Sequence, residues 1–597
     1  MGASLSLKPI LKPSPQRSLK PASPKPKLGL RAWMERVLVE CDRAAAGFDA
    51  DPVHDLRVAL RRCRSLADGL IALDPDPSWK EMKKAGRKLF RALGELRDMQ
   101  VMQEWIEKIG KIEKIGKIEK LGTVSDSAAE DAARRVSTEN QGDHLSGDPV
   151  VVKLLNYIHA REIECKQRAF KDLNQFDRKQ WRQWSSTLPR RAARVRPGSV
   201  VYLHLALEKW TAAYDLHKHA LRTRSQVSWH TLRIGIKRFR YTVENFLPRQ
   251  HALWGDDLKE LQDLLGEVHD LDVLWATAVD PNVSAFPDAE SRARWRERLN
   301  RERDKRIARY REKMVGRQSL WRVWRAELPS GPQLRAAAMS RLRTWAGYLD
   351  PDFSHSQRVA QLALLLYDGL QAAGLLTTDA EAPHLVQNRD RNSDQSLGKN
   401  SDYDPRAVLQ AAALMHDVGK AKGSQNHQKT SYRMIRGLPR PLGWSARELE
   451  MAAVVARYHR GALPHPRGKT MQLLDLPDRL IAMQSAAILR LANALDARPG
   501  LGKQELSKNA RNGNERGAQG GAHGKEDASE PRLEVSAQDH CVLVRAAGYS
   551  ALDRSAEGVA AARHLLETVL RRPVLVRTLR VSAAGGRSQE NRAVRIV

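Results

Sequence analysis

The residues best suited to chemistry in this sequence are two histidines and two aspartates that lie far apart along the chain. The doublet His416–Asp417 ends an apolar helical segment, His355 starts an earlier one, and Asp496 lies late in a third. A single histidine on an apolar helix face usually fills a core position. Imidazoles and carboxylates brought together from three helices, in contrast, are typical ligands of a divalent metal ion. The sequence therefore predicts a metal site formed by His355, His416, Asp417 and Asp496.

A bound divalent ion would lower the pKa of a bound water and polarise a phosphoryl oxygen, which is the chemistry of phosphate hydrolysis. The predicted catalytic residues are His416, Asp417 and Lys420. The predicted ligands of the substrate phosphates are His427, Arg457, His459 and Arg460. Mixed nitrogen and oxygen ligation suits manganese, iron or zinc better than magnesium, and the sequence leaves the choice open.

A second set of charged residues lies in a segment that occurs in two similar copies along the chain. The segment Val53–Leu70 returns in changed letters as Trp229–Phe246, and Leu93–Val101 returns as Leu265–Val273. At helical spacing, each copy places a histidine and several cations on one face, next to an apolar stripe. One such ridge is usually a solvated helix face, but two matching copies favour two surfaces that meet around one polyanion. The predicted polyanion-binding residues are His54, Arg57, Arg61, Arg62, Arg64, Lys84, Arg87, Arg91, His230, Arg233, Lys237, Arg238 and Arg240.

The paired segments resemble the conserved-histidine α-helical domain, or CHAD domain, from about Leu30 to Arg317. The resemblance implies a pseudo-twofold helical bundle with a basic central channel. It also implies that the ligand is inorganic polyphosphate.

The segment from about Leu334 to Ala497 resembles the HD superfamily, and most closely the HD-like region in the C-terminal half of Ppx/GppA exopolyphosphatases. The letters HSQRVAQLAL, AALMHDVGK, VVARYHRGALPHP and LRLANALDA carry this resemblance. It implies an all-α domain, but the actin-like phosphatase half of those enzymes has no counterpart here, so their catalysis is not carried over. Many HD enzymes have Leu-Ala-Asp where this sequence has Leu-Ala-Asn at 491–493, and Asp496 is expected to replace that aspartate.

Composition limits the classes of partner. Lys and Arg number 101 against 70 Asp and Glu, a net charge of +31 over 597 residues, which favours a polyanionic partner. The four cysteines form no CxxC pair, and no run of eighteen apolar residues occurs. We therefore expect a soluble cytoplasmic protein without a membrane span, with polyphosphate granules as a candidate location.

The expected fold is mainly α: a pseudo-twofold helical bundle, an all-α HD-like domain and a small α+β segment. The expected boundaries are a basic Pro-rich arm at 1–29, the bundle at 30–318, the HD-like domain at 334–500 with a polar loop at 377–404, a linker at 501–530 and the α+β segment at 531–597. A low-complexity insertion is expected at about 106–148, where repeated glycines disfavour a rigid helix. The arginine-rich segment Arg292–Arg317 is expected to be a solvated helix face.

Three functional hypotheses remain at this point. The first is a polyphosphate-binding protein with a metal-dependent HD phosphohydrolase acting on polyphosphate or a phosphorylated nucleotide. The second is a polyphosphate-binding scaffold whose HD fold holds no metal. Nucleic-acid binding is third, because the sequence has no helix-turn-helix, zinc-finger or RNP-like signature. The oligomeric state is left open.

Overall fold

The computed structural model describes residues 29–121, 149–283, 285–376, 403–496, 532–552 and 555–579, without the side chains of 108–121. The predicted arm at 1–29 except Gly29, most of the polar loop at 377–404 and the linker at 501–530 lie outside these residues. Within them, seventeen α-helices and three short strands confirm the expected mainly α fold. No helix of this described part is long and apolar enough to cross a membrane.

Ten helices form two repeats with the same order of packing. The first repeat contains α1 (Leu30–Ala45), α2 (Ala50–Leu70), α3 (Pro77–Leu121), α4 (Pro149–Asn174) and α5 (Arg178–Ala192). The second contains α6 (Val200–Thr223), α7 (Gln226–Phe246), α8 (Pro248–Ala278), α9 (Ala289–Met314) and α10 (Leu320–Ala326). In each repeat the second helix packs on the third and the third on the fourth, while α2 and α7 pack against each other between the repeats.

The close approach of α2 and α7 depends on a glycine. A Cβ atom at Gly69 would collide with the ring of Phe246. The apolar stripes of both helices, including Leu60 and Phe239, are fully buried in one core shared by the two repeats. Burying these stripes fixes the cationic ridges beside them at the interface between the repeats.

Two expectations about this bundle are corrected. Helix α3 continues through the repetitive segment as far as Leu121, because isolated glycines cost only about 1 kcal/mol each in a helix. Helix α9 is not simply solvated. Its cations pair with carboxylates of α8, including Arg303 with Asp272 at 3.2 Å and Lys313 with Glu260 at 2.6 Å.

The remaining helices and the sheet share a second core. The helices are α11 (Gly331–Leu349), α12 (Phe353–Ala372), α13 (Pro405–Met415), α14 (His427–Arg436), α15 (Ala446–Arg457), α16 (Leu476–Leu495) and α17 (Ser555–Leu570). The strands are β1 (Leu533–Ala537), β2 (Val542–Ala546) and β3 (Val574–Thr578), with β1 antiparallel and β3 parallel to β2. Val542 and Val544 are buried with residues of the helical domain, so the α+β segment is part of that domain's core.

Direct contacts hold the bundle against this second domain. Nε2 of His204 in α6 lies 2.9 Å from the carbonyl oxygen of Leu442. Tyr348 of α11 donates a hydrogen bond to the carbonyl oxygen of Arg191 at 2.8 Å. These buried or half-buried polar contacts join the bundle to the second domain at two separate points.

Candidate functional site

Cations of both repeats converge at the interface of α2 and α7. Burial and the nearby Arg233, Arg61, Arg57 and Arg64, in that order, lower the pKa of Lys237 to about 7. We call Arg57, Arg61, Arg64, Arg233 and Lys237 the cationic cluster. Three of its members come from α2 and two from α7, so the two predicted ridges meet as one surface.

Several donors in the cationic cluster have no hydrogen-bond partner within the described residues. The Nε atoms of Arg61, Arg64 and Arg233 are buried and unpartnered. Buried polar groups are normally satisfied, so these donors fit an anion that bridges the two repeats. Arg57 is oriented differently: its Nη1 donates to the carbonyl oxygen of Phe90 at 3.1 Å, and its guanidinium lies 4.3 Å from the Phe90 ring centroid.

The repeated Leu-Gly-Glu motif has a steric role beside this cluster. A Cβ atom at Gly94 would lie 3.2 Å from Nη1 of Arg57, and one at its counterpart Gly266 would lie 4.0 Å from Nε of Arg233. The glycine therefore leaves space for Arg57 in the first repeat, whereas a Cβ atom at Gly266 would make only an ordinary contact with Arg233. The repetition of Leu-Gly-Glu in the sequence could have indicated this contact.

Two aspartates that follow this motif carried no functional prediction from the sequence. Burial raises the pKa of Asp270 to about 6, although the nearby Arg233 opposes the shift. Burial likewise raises the pKa of Asp98, against the effects of Arg57 and Arg233. Asp98 is therefore close to cations of both repeats. In the sequence, only their equivalent positions in the two copies of the Leu-Gly-Glu segment could have indicated that they belong to this site.

Other predicted polyanion ligands lie elsewhere. Arg62 points away from the cluster, with Nη2 2.6 Å from Glu244 and its guanidinium over the ring of Trp33. Arg238 is exposed outside the cluster, and Arg240 lies near Glu244, whose pKa it helps to lower.

The two predicted histidines lie at the edge of the cluster. His54 is exposed, and its pKa is lowered by partial burial, then by Arg97 and Arg61. His230 contacts His269, with 3.2 Å between their Nδ1 atoms. The remaining predicted cations, Lys84, Arg87 and Arg91, line a separate groove between α3 and α4.

The second candidate site is built from helix ends. His355 lies in the first turn of α12, His416 and Asp417 follow the last turn of α13, His427 begins α14, and His459 follows α15. We call these five residues the histidine cluster.

Gly419 allows α14 to approach the end of α13. A Cβ atom there would collide with the carbonyl oxygen of His427 and lie 2.6 Å from the backbone nitrogen of Ser431. Ser431 in turn donates from Oγ to the carbonyl oxygen of His416 at 2.7 Å and accepts from the Gly419 N–H at 2.8 Å. The glycine after the His-Asp doublet therefore brings His427 next to Asp417.

Three histidines share one orientation. Nδ1 of His416, His427 and His459 lies 2.7, 2.9 and 2.9 Å from the carbonyl oxygen three residues earlier in the chain. A carbonyl can only accept, so Nδ1 carries a proton in each ring, and Nε2 offers a lone pair whenever the ring is neutral. These lone pairs are directed toward Asp417, an arrangement typical of metal-binding histidines.

The cluster contains two groups of ligand atoms that share one carboxylate. In the first, Nε2 of His355 and of His416 lie 3.9 and 3.3 Å from Oδ2 of Asp417. In the second, Nε2 of His427 and of His459 lie 2.9 and 3.7 Å from Oδ1 of Asp417. All ligand atoms of each group lie within 4.8 Å of one another.

These two groups fit divalent metal ions. Nε2 of His416 and Oδ1 of Asp417 are buried without a hydrogen-bond partner in the described residues, and their chemistry is that of a metal ligand set. Burial alone would raise the pKa of Asp417, but the contacts from His416, His427 and Lys420 hold it well below its usual range. The carboxylate is therefore ionised and available as a ligand.

Asp496 occupies a position behind His355. Its Oδ2 lies 2.7 Å from Nδ1 of His355, and Arg358 binds both of its carboxylate oxygens at 2.8 Å. Asn493, the departure from the HD pattern, directs its Oδ1 to Nε2 of His355 at 3.0 Å. Asp496 thus lies outside both groups of ligand atoms around Asp417. Its role as a metal ligand stays a prediction.

The predicted substrate-binding residues separate into two classes. His427 and His459 are each only 2% exposed and face Asp417, so their predicted contact with a substrate phosphate stays a prediction. Lys420 is partly exposed and its ammonium group contacts Asp417, while Arg457 is half-buried and Arg460 exposed nearby in sequence. The sequence predicted that His427 and His459 belong to the site, but as substrate ligands and not as partners of Asp417. Their positions at helix ends do not by themselves indicate which residue they face.

Comparisons with known proteins agree with the two sequence resemblances. Residues 29–279 match the family described as CHAD domain, and residues 335–517 match the family described as Ppx/GppA phosphatase, domain III. No curated protein matches the chain. The two domain types together support a function related to polyphosphate. The chain thus contains one region that matches the CHAD domain family and a second region that matches domain III of the Ppx/GppA phosphatases.

Proposed function

We propose that this protein binds inorganic polyphosphate at the cationic cluster and hydrolyses a phosphate ester or anhydride at the histidine cluster. The binding function rests on one observation: five cations from two repeats meet at one interface and leave buried guanidinium donors unpartnered. A flexible polyanion with one charge per phosphate can follow such a surface, whereas a stiff duplex cannot.

The hydrolytic function also rests on one observation. Two trios of ligand atoms share Asp417, so the cluster is suited to two divalent ions rather than one. The proposed ligands are His355, His416 and Asp417 for one ion, and Asp417, His427 and His459 for the other. Such ions would supply an activated water and polarise a phosphoryl oxygen.

The surrounding residues orient the ligands and receive the substrate. Asp496, held by Arg358, fixes the ring of His355 through Nδ1 and so sets which nitrogen faces Asp417. Lys420 is the partly exposed cation nearest to Asp417, and we assign it to a substrate phosphate with Arg457 and Arg460 beside it. Manganese, iron, zinc and magnesium are the ions to test.

The binding proposal is tested with the full chain. Long-chain polyphosphate should bind far more tightly than duplex DNA at matched salt, and its affinity should fall steeply as salt rises, because binding releases counterions. Equal affinity for the two polymers would favour the nucleic-acid hypothesis. An affinity independent of salt would contradict the cationic cluster as the site.

The hydrolytic proposal is tested by metal analysis of the purified protein together with phosphate release from polyphosphate and from nucleotides. We expect two ions per chain and metal-dependent turnover. A second candidate function, a scaffold without metal, is favoured by Asn493 and by the contact of Lys420 with Asp417. No stoichiometric metal and no turnover with any of the four ions would establish that candidate and refute hydrolysis.

A cytoplasmic location is part of the proposal. Cys41, Cys63 and Cys165 are buried as free thiols, which suits a reducing compartment. Association with polyphosphate granules would follow from the binding function and is tested by imaging the tagged protein with and without polyphosphate synthesis.

A further inference from the structure

The two repeats differ most in the groove beside their third helix. In the first repeat, a groove of about 810 Å³ between α3 and α4 is lined by five cations and three acids. The cations, which we call the α3/α4 groove residues, are Lys84, Arg87, Lys88, Arg91 and Arg168.

The equivalent groove of the second repeat has the opposite charge. The match of Leu93 with Leu265 shifts the numbering by 172 positions, so Lys84 and Arg91 correspond to Asp256 and Asp263. The groove at those positions, between α8 and α9, is lined by four acids and two cations and measures about 420 Å³.

The contacts in each groove strengthen this difference. Lys84, Arg87 and Arg91 are exposed and have no ion pair within the described residues, whereas Arg168 pairs with Glu95 at 2.7 Å. The first groove therefore presents three cations that no carboxylate neutralises.

In the second groove one of the two cations, Lys259, lies on α8, and the other, Arg309, comes from α9, whose cations face α8. These α9 cations pair with the carboxylates of α8, as Arg309 does with Glu260 at 2.7 Å. Asp256 and Asp263 have no such partner in the part of the chain that the structure describes, so this groove would repel a polyanion.

The first groove is electrostatically continuous with the cationic cluster. The pKa of Arg64 is lowered by burial and also by Arg87 and Arg91, although Asp68 opposes the shift. Arg64 in turn contributes to the lowered pKa of Lys237. Arg64 therefore lies close enough to both Lys237 and the groove cations to link the cluster to the groove.

From this asymmetry we infer that a polyphosphate chain too long for the cationic cluster leaves it on one side only, along the α3/α4 groove. This inference rests on the proposed polyphosphate binding. It assigns the groove as a second subsite that discriminates long chains from short ones, because only a long chain can occupy the cluster and the groove at the same time.

The test measures the dissociation constants of the full chain for inorganic polyphosphate, in a series from tripolyphosphate to chains of several hundred phosphates. The double variant Arg87→Gln/Arg91→Gln should weaken long-chain binding about tenfold and leave tripolyphosphate binding within about twofold. If roughly 0.7 counterion is released per contact, as for single-stranded nucleic acids, the slope of log affinity against log salt should fall by about 1.4 for long chains.

The matched control is Arg292→Gln/Arg311→Gln, which removes the same charge from two exposed positions of α9. It should change the affinity for long chains by no more than about twofold, as expected for diffuse attraction. Equal losses in the groove variant and the control would overturn the inference. Equal loss of short and long chains in the groove variant would overturn it too.

Failure of the underlying proposal has a different signature. If Arg57→Glu/Arg233→Glu leaves tripolyphosphate binding unchanged, the cationic cluster itself is refuted. The converse variant, Asp256→Lys/Asp263→Arg, gives the second repeat the residues of the first at these two positions. It should strengthen the binding of long polyphosphate chains and leave the binding of tripolyphosphate unchanged. An unchanged long-chain affinity in that variant would show that charge asymmetry does not restrict the exit.

Discussion

The cationic cluster and the histidine cluster both bury polar groups, but they do so with opposite charge balance. In the cationic cluster, burial and then the neighbouring basic side chains lower the pKa of Lys237 to about 7, which reflects an excess of positive charge at this interface. In the histidine cluster, four imidazoles face one ionised carboxylate, that of Asp417. The first arrangement suits an anion and the second suits cations, in keeping with the proposed division of ligand binding and hydrolysis between two domains.

Removing the shared carboxylate should separate the two sites most completely. Asp417→Asn should lower the bound metal from two ions to none and abolish turnover, because both trios lose their only anionic ligand. Removing one partner of a buried charge pair costs about 3–5 kcal/mol. Metal analysis and phosphate release check this. Polyphosphate affinity should be unchanged in the same preparation, and a parallel loss of that affinity would mean that the two sites are coupled.

Charge reversal at the cationic cluster tests the proposed polyphosphate site. Arg57→Glu/Arg233→Glu should weaken polyphosphate binding at least a hundredfold, since each lost charge-assisted contact is worth about 1.5–3 kcal/mol. The control Arg292→Glu/Arg311→Glu changes the net charge equally and should cost only a few-fold. Comparable losses from both pairs, measured by equilibrium binding at one salt concentration, would show that net charge and no defined site holds the ligand.

Restoring the HD-type carboxylate should sharpen the histidine cluster. Asn493→Asp places a carboxylate where Oδ1 now lies 3.0 Å from Nε2 of His355, and should raise metal affinity about tenfold, the scale typical of changes around a metal site. Titration of metal-free protein with Mn²⁺ or Zn²⁺ measures it. Weaker binding in this variant would imply that the amide oxygen is the better partner of His355.

The smallest expected effect is a pH dependence of polyphosphate binding. Lys237 is charged below its pKa of about 7 in the unliganded protein, and a bound polyanion raises that pKa. The contribution of Lys237 to affinity is therefore full below pH 7 and is lost as the pH rises through the raised value, with a loss of about tenfold if the polyanion raises the pKa by about one. Lys237→Arg, which stays charged, should bind equally well at pH 6 and pH 8.5. An unchanged pH profile in that variant would assign the titration to Asp270 or His230 instead.

Much of this molecule was predictable because the signals were local. The repeated ridges, the helical fold and the His-Asp doublet are patterns within single helices, where spacing alone fixes which residues share a face. The two copies of the ridge also indicated that two surfaces meet. Arg62 and Arg238 show the limit of this reasoning: they lie within the basic segments, but at angles that direct them to Glu244 and to solvent.

The sequence by itself determined the kinds of residue available for each site and the helices that carry them. Only the tertiary structure decided that His427 and His459 face Asp417 while Asp496 lies behind His355, because their distances depend on how α12, α13, α14 and α16 pack. The charge pairing in the two grooves was likewise settled in three dimensions. The exchange of Lys84 and Arg91 for Asp256 and Asp263 stands in the sequence, but which of the groove charges are paired depends on the helix that packs on the third helix, since the paired or unpaired state of a surface charge is a property of its neighbours.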